Sequence, residues 1–304
     1  SVVAAMARSS ASPIKTFTIG FDDPAYDERR YARLVSRKYG TDHHELVVRP
    51  DAISVLPKLV WHYGEPFADS SAVATYYLSQ FARSHVTVAL NGDGGDESFL
   101  GYPRYAGAWL GSHIDRLPRS LRRALGAVGR SLPLETSDVR SLRYLRRFLL
   151  ESNADDAQRY GKWITLFSNE QKRELYSGAL REMLGDDCLR SLTQWFVGDA
   201  PVAALAASAD IHTYLPDDLL VKVDVATMAH GLEARSPFLD HEFMEFAAII
   251  PAGTKMRGLR TKSVLKSAMA DRLPRELLRR PKMGFGIPID RWLRNELKEM
   301  AYDV

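Results

Sequence analysis

The sequence predicts an α/β fold, with a parallel sheet in the first third and a largely helical C-terminal part. Three observations carry that expectation. From Ser1 to about Gly111, β-branched apolar segments alternate with amphipathic helical ones, the pattern of a parallel sheet covered by helices. The segments between strands are long enough for right-handed crossovers. Beyond about Ala200 helical spacing dominates, interrupted by Pro216, Pro237, Pro251, Pro274, Pro281 and Pro288.

Taken in order, Val2 to Ala7 reads as an amphipathic helix already under way. Ile14 to Phe21 reads as a strand ending near Gly20-Phe21-Asp22-Asp23-Pro24. Asp27 is placed to cap a helix carrying Tyr31, Leu34, Val35 and Tyr39, closed by Gly40. His44 to Val48 is a short strand, Ala52 to Trp61 a helix interrupted near Pro57, and Ser70 to Arg83 another helix. Between about His113 and Arg159 arginines crowd in, among them Arg119, Arg122, Arg123 and Arg130, with leucines between. That run reads as a solvated helical face with leucines turned inward rather than a nucleic-acid surface, because few aromatics stand ready to stack on bases. Pro133 is expected to break the helices there.

Val86 to Leu90 reads as a buried strand, since parallel strands covered on both faces are nearly continuously apolar. It runs into Asn91-Gly92-Asp93-Gly94-Gly95-Asp96-Glu97. The glycines allow positive φ and close approach to a ligand, and ligands of open α/β sheets bind at the carboxyl ends of strands. Three acids suit a hard divalent cation held between carboxylate and phosphate. An acidic surface turn accounts for the same residues, so the loop alone leaves both readings open.

The bulk numbers narrow the classes. A chain of 304 residues with 45% hydrophobic and 26% charged residues is an ordinary globular composition, and no apolar run reaches the length of a membrane span. The one cysteine, Cys188, excludes an intrachain disulfide framework and fits a reducing cytoplasm. A net charge of +3 points to no particular partner. His43 and His44 sit next to each other on a strand and so face opposite ways, which argues against a metal pair. His62, His212 and His230 read as structural, and Asp240 as a helix cap.

Three downstream segments are unusually polar for helical sequence. They are Leu215 to Asp224 running into Gly231-Leu232-Glu233-Ala234-Arg235-Ser236-Pro237-Phe238-Leu239-Asp240, then Arg260 to Leu265, then Arg280-Pro281-Lys282-Met283-Gly284-Phe285-Gly286-Ile287-Pro288. Together with the acidic loop they resemble the synthetase domain of glutamine-hydrolysing asparagine synthetases. The family loop reads Ser-Gly-Asp-Gly-Gly-Asp-Glu-Leu-Phe-Gly-Gly-Tyr-Pro-Arg-Tyr, and Asn91 to Tyr105 departs from it only at Asn91, Ser98 and Leu100. The resemblance spans nearly the whole chain in order, apart from the arginine-rich middle.

The resemblance implies a parallel-sheet ATP pyrophosphatase core of the adenine nucleotide alpha hydrolase type. Residues 1–111 would be its nucleotide-binding core, lacking the Ser-Gly-Gly-x-Asp-Ser phosphate loop. Residues 112–200 would be a helical, arginine-rich segment, and 201–304 a helical part completing the active site. It further implies a fragment, with a glutaminase domain upstream of Ser1. The chemistry implied is adenylation of a carboxylate, aspartate foremost, by ATP and Mg²⁺, then attack by glutamine-derived ammonia to give asparagine, AMP and pyrophosphate. By position, Asp96 would hold Mg²⁺, Asn91 and Gly92 would lie against the nucleotide, and Ile19 against adenine. Lys262 would neutralise pyrophosphate, Lys282 would stabilise adenylate formation and amidation, Glu233 would be an acid near the reacting centre, and Asp93 would face the acyl group. The implied partners are small molecules and the glutaminase domain, with no nucleic acid and no membrane; a homodimer is left open.

One departure bears on the substrate. After Val223-Asp224 the family usually has arginine or lysine, and this chain has Val225. That keeps alive a related amide-forming enzyme with another acceptor, as in β-lactam synthetases or cell-surface polymer amidotransferases. A non-catalytic nucleotide-binding homologue is a third reading, opposed by the joint presence of Asp96, Glu233, Lys262 and Lys282.

Overall fold

The computed structural model describes residues 2–49, 54–132, 140–183, 189–280 and 283–303. Cys188, Pro133 and Lys282 lie outside them. The order begins α1 (Val2–Ser9), β1 (Lys15–Phe21), α2 (Arg29–Tyr39), β2 (Asp42–Val48), α3 (Leu56–Tyr63) and α4 (Ser71–Arg83). Next come β3 (Val88–Leu90), α5 (Gly95–Ser98), α6 (Pro103–Ile114), α7 (Arg119–Ser131), α8 (Arg140–Leu150) and α9 (Asp156–Ile164). Among the described residues the remaining elements are helical except for β4 (Glu233–Arg235).

The α/β expectation holds, with two short parallel ladders among the described residues. β1 pairs with β2 from Lys15–Asp42 to Phe21–Val48. β3 pairs with β4 from Val88–Glu233 to Leu90–Arg235. Local signals set several boundaries: α2 stops at Gly40, which takes φ +60° as a left-handed C-cap. Pro57 begins α3 rather than interrupting it, because its missing N–H costs nothing in a first turn. Ala52 lies outside the described residues.

The chain divides into two compact units. The first comprises Ser1–Gly94, Pro216–Met244 and Lys266–Val304; the second comprises Gly95–Leu215 and Glu245–Leu265. In the first, Ile19, Phe21, Val48, Leu59, Val73 and Trp292 form a buried core across β1, β2, α3, α4 and the helix Ile289–Arg294. In the second, Tyr105, Ala108, Tyr160, Ala206 and Met256 pack α6 and α9 on the helix Val202–His212.

Two expectations need correction. The strand entering the acidic loop is three residues long, and Val88 and Leu90 are 42% and 37% exposed. β3 is hydrogen-bonded on one edge only among the described residues, and that exposure shows its side chains are not covered on both faces despite the apolar run. The leucines of the arginine-rich helices are not all inward either: Leu121 and Leu145 are about half exposed, while Leu149 is buried.

The reading of Asp240 as a helix cap is borne out. His43 bonds to Thr16 Oγ1 while His44 stacks on Phe17, the two imidazoles meeting different neighbours. Among the described residues no group of three His, Cys, Asp or Glu is placed to hold a metal. Asp240 Oδ1 accepts from the Phe243 N–H at 3.0 Å, capping the helix His241–Ile249. Among the described residues no helix is long and apolar enough to cross a membrane.

Candidate active site

The candidate residues fall into one group in each unit. In the first unit the parallel pairing of β3 with β4 carries Asn91 to the end of the ladder, where its N–H donates to the Arg235 carbonyl at 2.9 Å. The Asn91 side chain then turns back on the loop, donating from Nδ2 to Asp93 Oδ2 at 2.7 Å. Ser236, the residue after β4, donates its hydroxyl to the Asp93 carbonyl at 2.6 Å. Asn91 and Asp93 are thus held as a pair.

Of the loop glycines only Gly94 takes a positive φ, +80°, and a Cβ there would lie 2.2 Å from Leu239 Cδ2. Gly92 and Gly95 do not use left-handed backbone. A Cβ on Gly92 would meet nothing within 4 Å, so its missing side chain leaves open backbone that a ligand can approach.

Glu233 is not part of this cluster. It stands opposite Val88 at the start of the ladder, exposed, with its Oε1 2.6 Å from Arg235 Nε. Ile19 is 5% exposed and belongs to the core of the first unit. Lys282 falls outside the described residues.

The second unit brings Asp96 and Lys262 together. Asp96 lies in the single turn α5, and Lys262 Nζ is 2.9 Å from its Oδ1, with both side chains mostly covered. Gly101 closes the turn by donating its N–H to the Asp96 carbonyl at 2.7 Å. A Cβ on Gly101 would lie 2.0 Å from Asp96 Oδ1 and 2.2 Å from Lys262 Cε. The pair therefore occupies the space this glycine leaves.

Backbone strain marks the same place. Lys262 and Leu100 are the described non-glycine residues with positive φ, both +52°, a conformation that costs about 1–2 kcal/mol for residues with a Cβ. Leu100 stands where the family loop has glycine, and it keeps the left-handed backbone because its side chain is anchored at 1% exposure in the core of the second unit. Such strain persists where surrounding structure over-determines it.

Glu97 follows Asp96 and is 2% exposed. Burial pushes its carboxyl above the usual carboxylate range, against the opposing hydrogen bond from Tyr102, whose hydroxyl donates to Oε1 at 2.7 Å. Burial and the Glu97 and Asp96 charges hold the Tyr102 hydroxyl protonated, so it remains a donor. The Arg104 guanidinium lies 4.0 Å from the Tyr102 ring centre and 2.7 Å from Asp210 Oδ2. That oxygen also accepts from the Tyr105 and Tyr160 hydroxyls. This buried network fixes the segment after Asp96.

Sequence reading missed several of these residues. Gly101 and Tyr102 lay within the matched loop, but what they do depends on Lys262 and Glu97, which only the fold brings to them. Lys222, in the apolar run Leu219–Val223, is 6% exposed and reaches Asp69 Oδ2 at 2.6 Å in the first unit. A lysine inside an apolar run was the available signal. Its partner is 153 residues away.

The family model for asparagine synthase matches residues 1–304. The chain belongs to the asparagine synthase family. That family's synthetase domain is of the PP-loop ATP pyrophosphatase type, in keeping with the parallel α/β order. A putative glutamine-hydrolyzing asparagine synthetase of Mycobacterium tuberculosis is 37% identical over 302 residues, 99% of this chain and 45% of the relative. Asparagine synthetase (glutamine-hydrolyzing) 1 of Bacillus subtilis is 31% identical over 309 residues, 100% of this chain and 47% of the relative. A putative asparagine synthetase (glutamine-hydrolyzing) 2 of Methanocaldococcus jannaschii is 36% identical over 169 residues, half of this chain and 32% of the relative. This asparagine synthase family chain spans about half the length of the first two relatives.

Proposed function

We propose that this chain is the synthetase portion of an ATP-dependent amidotransferase that adenylates a carboxylate, aspartate foremost, and transfers glutamine-derived ammonia to it. The observation that carries the reading is the Asp96–Lys262 pair, packed against Gly101 and held by strained backbone. A carboxylate beside a fixed ammonium is the local charge pattern needed where metal-bound phosphates are held and released.

A carboxylate oxygen attacks the α-phosphorus, pyrophosphate leaves, ammonia attacks the acyl carbon and AMP leaves. Lys262 meets the negative charge that builds on the departing pyrophosphate. The donor set fits Mg²⁺: a single carboxylate, Asp96, suits an ion that takes its other ligands from phosphate and water rather than from an all-protein cage. Bound there, the ion would supply charge neutralisation at the phosphates. Asn91 and Gly92 are assigned to the nucleotide and Asp93 to the acyl group, with Asn91 Nδ2 orienting the Asp93 carboxylate. Lys282 is assigned to adenylate formation and amidation, Ile19 to adenine and Glu233 to an acidic role near the reacting centre. Under this reading residues 1–111 supply the nucleotide core, 112–200 a helical support and 201–304 the remaining site residues. A glutaminase domain supplies ammonia, and the reaction runs in the cytoplasm.

The test is pyrophosphate release by the full-length protein as a function of ATP, Mg²⁺ and aspartate. Turnover that needs ATP and Mg²⁺ but ignores aspartate would overturn the asparagine assignment and leave adenylation standing. Val225, in place of the family's cation, is the observation behind that second reading, with a different carboxylate as acceptor.

A further inference from the structure

The second unit contains a cleft of about 700 Å³ between α7 and the turn that leads into α9. Arg119, Arg122, Arg123 and Arg130 line it from α7, and Asn153 and Asp155 from the turn. Arg122, Gly126 and Arg130 fall on one i, i+4, i+8 row of α7, which places their side chains on one face. Gly126 is buried, and a Cβ there would come within 3.3 Å of Ser152 Oγ and 3.4 Å of Asn153 Nδ2. The glycine lets the helix approach the turn and keeps a side chain out of the gap between two arginines. The Ser152 hydroxyl donates to the Arg122 carbonyl at 2.9 Å, tying helix to turn.

The carboxylates in this wall are already engaged. Asp115 accepts from Arg122 and from Arg159, Asp156 from Arg159, and Asp155 Oδ1 caps α9 through the Gln158 N–H. Arg159 is 1% exposed and so consumes its partners inside the unit. Five guanidiniums then stand against three carboxylates. Among the described residues, Arg119, Arg123 and Arg130 have no ion-pair partner, and the Nε of Arg122 is buried without an acceptor. α7 also starts without a side-chain cap and with no acid in its first turn, so the positive end of its dipole adds to the arginine charges.

We infer that this cleft is a binding site for a linear multi-phosphate anion. Charge, unmet donors and volume call for an anion with several acceptor oxygens, and arginine forks match phosphate geometry. Arg119 and Arg130 are three turns apart, about 16 Å at 1.5 Å per residue, so the charge is spread along a line rather than focused on one phosphate. No aromatic side chain lines the cleft, which leaves a nucleobase nothing to stack on. The site lies within the second unit and uses none of the residues assigned to the amide-forming reaction.

The experiment is calorimetric titration of the full-length protein with pyrophosphate and with linear tripolyphosphate. The same titrations are run on Lys262→Gln, so that phosphate held at the proposed nucleotide site is told apart from phosphate held in the cleft. Binding is expected, tighter for the longer chain and weakened by added salt. The triple variant Arg119→Gln, Arg123→Gln, Arg130→Gln changes only exposed side chains and is expected to bind about tenfold or more weakly, as loss of charge-assisted contacts requires. Its thermal melt should be that of the parent. Equal affinity in the triple variant, or no binding by the parent at millimolar tripolyphosphate, overturns the inference. Equally tight binding of an oligoglutamate of matched charge overturns the phosphate assignment. Tighter, arginine-dependent binding of an oligothymidylate would make the face a nucleic-acid surface and overturn it as well.

Discussion

Replacing Gly101 by alanine tests the geometry of the Asp96–Lys262 pair directly. Gly101 does not use a positive φ, so alanine meets no backbone penalty there. In open space such a change stabilises by about 0.4–1 kcal/mol through the unfolded chain. Here the new Cβ would sit 2.0 Å from Asp96 Oδ1, 2.2 Å from Lys262 Cε and 2.8 Å from Asp96 Cγ. All three contacts fall more than half an ångström short of ordinary packing, so the carboxylate and the lysine stem must part or the turn must shift. Overpacking of that kind costs about 1–3 kcal/mol. Set against the entropic gain, the net loss is on the order of 1–2 kcal/mol, or a Tm lower by roughly 2–8 °C. The effect on turnover should be larger, since a displacement near 1 Å can cost about 100-fold in rate. The assay pairs thermal melting with ATP-dependent pyrophosphate release, with Gly253→Ala as a control because a Cβ there meets nothing within 4 Å. Gly101→Ala with parental Tm and parental turnover would refute the placement of Lys262 against Asp96.

Four further outcomes are expected. Leu100→Gly relieves about 1–2 kcal/mol of left-handed strain but empties a core site worth about 2–5 kcal/mol, so chemical denaturation should show a net loss despite the family's glycine there. Asp240→Ala removes the cap on His241–Ile249 and should lower stability by about 1 kcal/mol, read as a shifted urea midpoint with unchanged slope. Glu97 has a raised folded-state pKa. Its contribution is therefore present below the unfolded carboxylate value and lost as pH rises through the folded one. Glu97→Gln, which still accepts from Tyr102, should gain on the parent in Tm as pH is raised from about 4 to 8. Asp69 is the opposite case. Burial raises its pKa, but Lys222 and the Ser71 hydrogen bonds outweigh that and leave it lowered. Its stabilisation is present at neutral pH and lost as pH falls through the folded value. Asp69→Asn should cost on the order of 3 kcal/mol at pH 7 by stranding the buried Lys222 charge, and the gap should close in acid; a gap independent of pH would refute the pairing.

Local chemistry made much of this legible. Gly40 announced the end of α2, Asp240 the start of a helix, and alternating apolar segments the parallel α/β order. The length and burial of β3 were not legible, because Val86 to Leu90 is apolar whether or not a second strand covers it. β4 was missed for a related reason: three residues of Glu-Ala-Arg have no strand signal until β3 lies beside them. Lys222 lies within a polar-dense segment, yet a buried lysine is recognisable only once its acid is in place.

The sequence by itself determined the α/β class, the family, and the residues from which a nucleotide and carboxylate site would be assembled, because motif identity and helical or strand period are local properties. The tertiary structure decided which of them meet. It set Lys262 beside Asp96 across 166 positions of chain, left Gly101 as the space they share, tied Asn91 to Asp93, and put Glu233 at the far end of its ladder from that loop. It also held Leu100 and Lys262 in left-handed backbone that neither side chain favours. Such choices follow from packing, where the burial of one side chain outweighs the local preference of another, and no pattern along the chain records that balance.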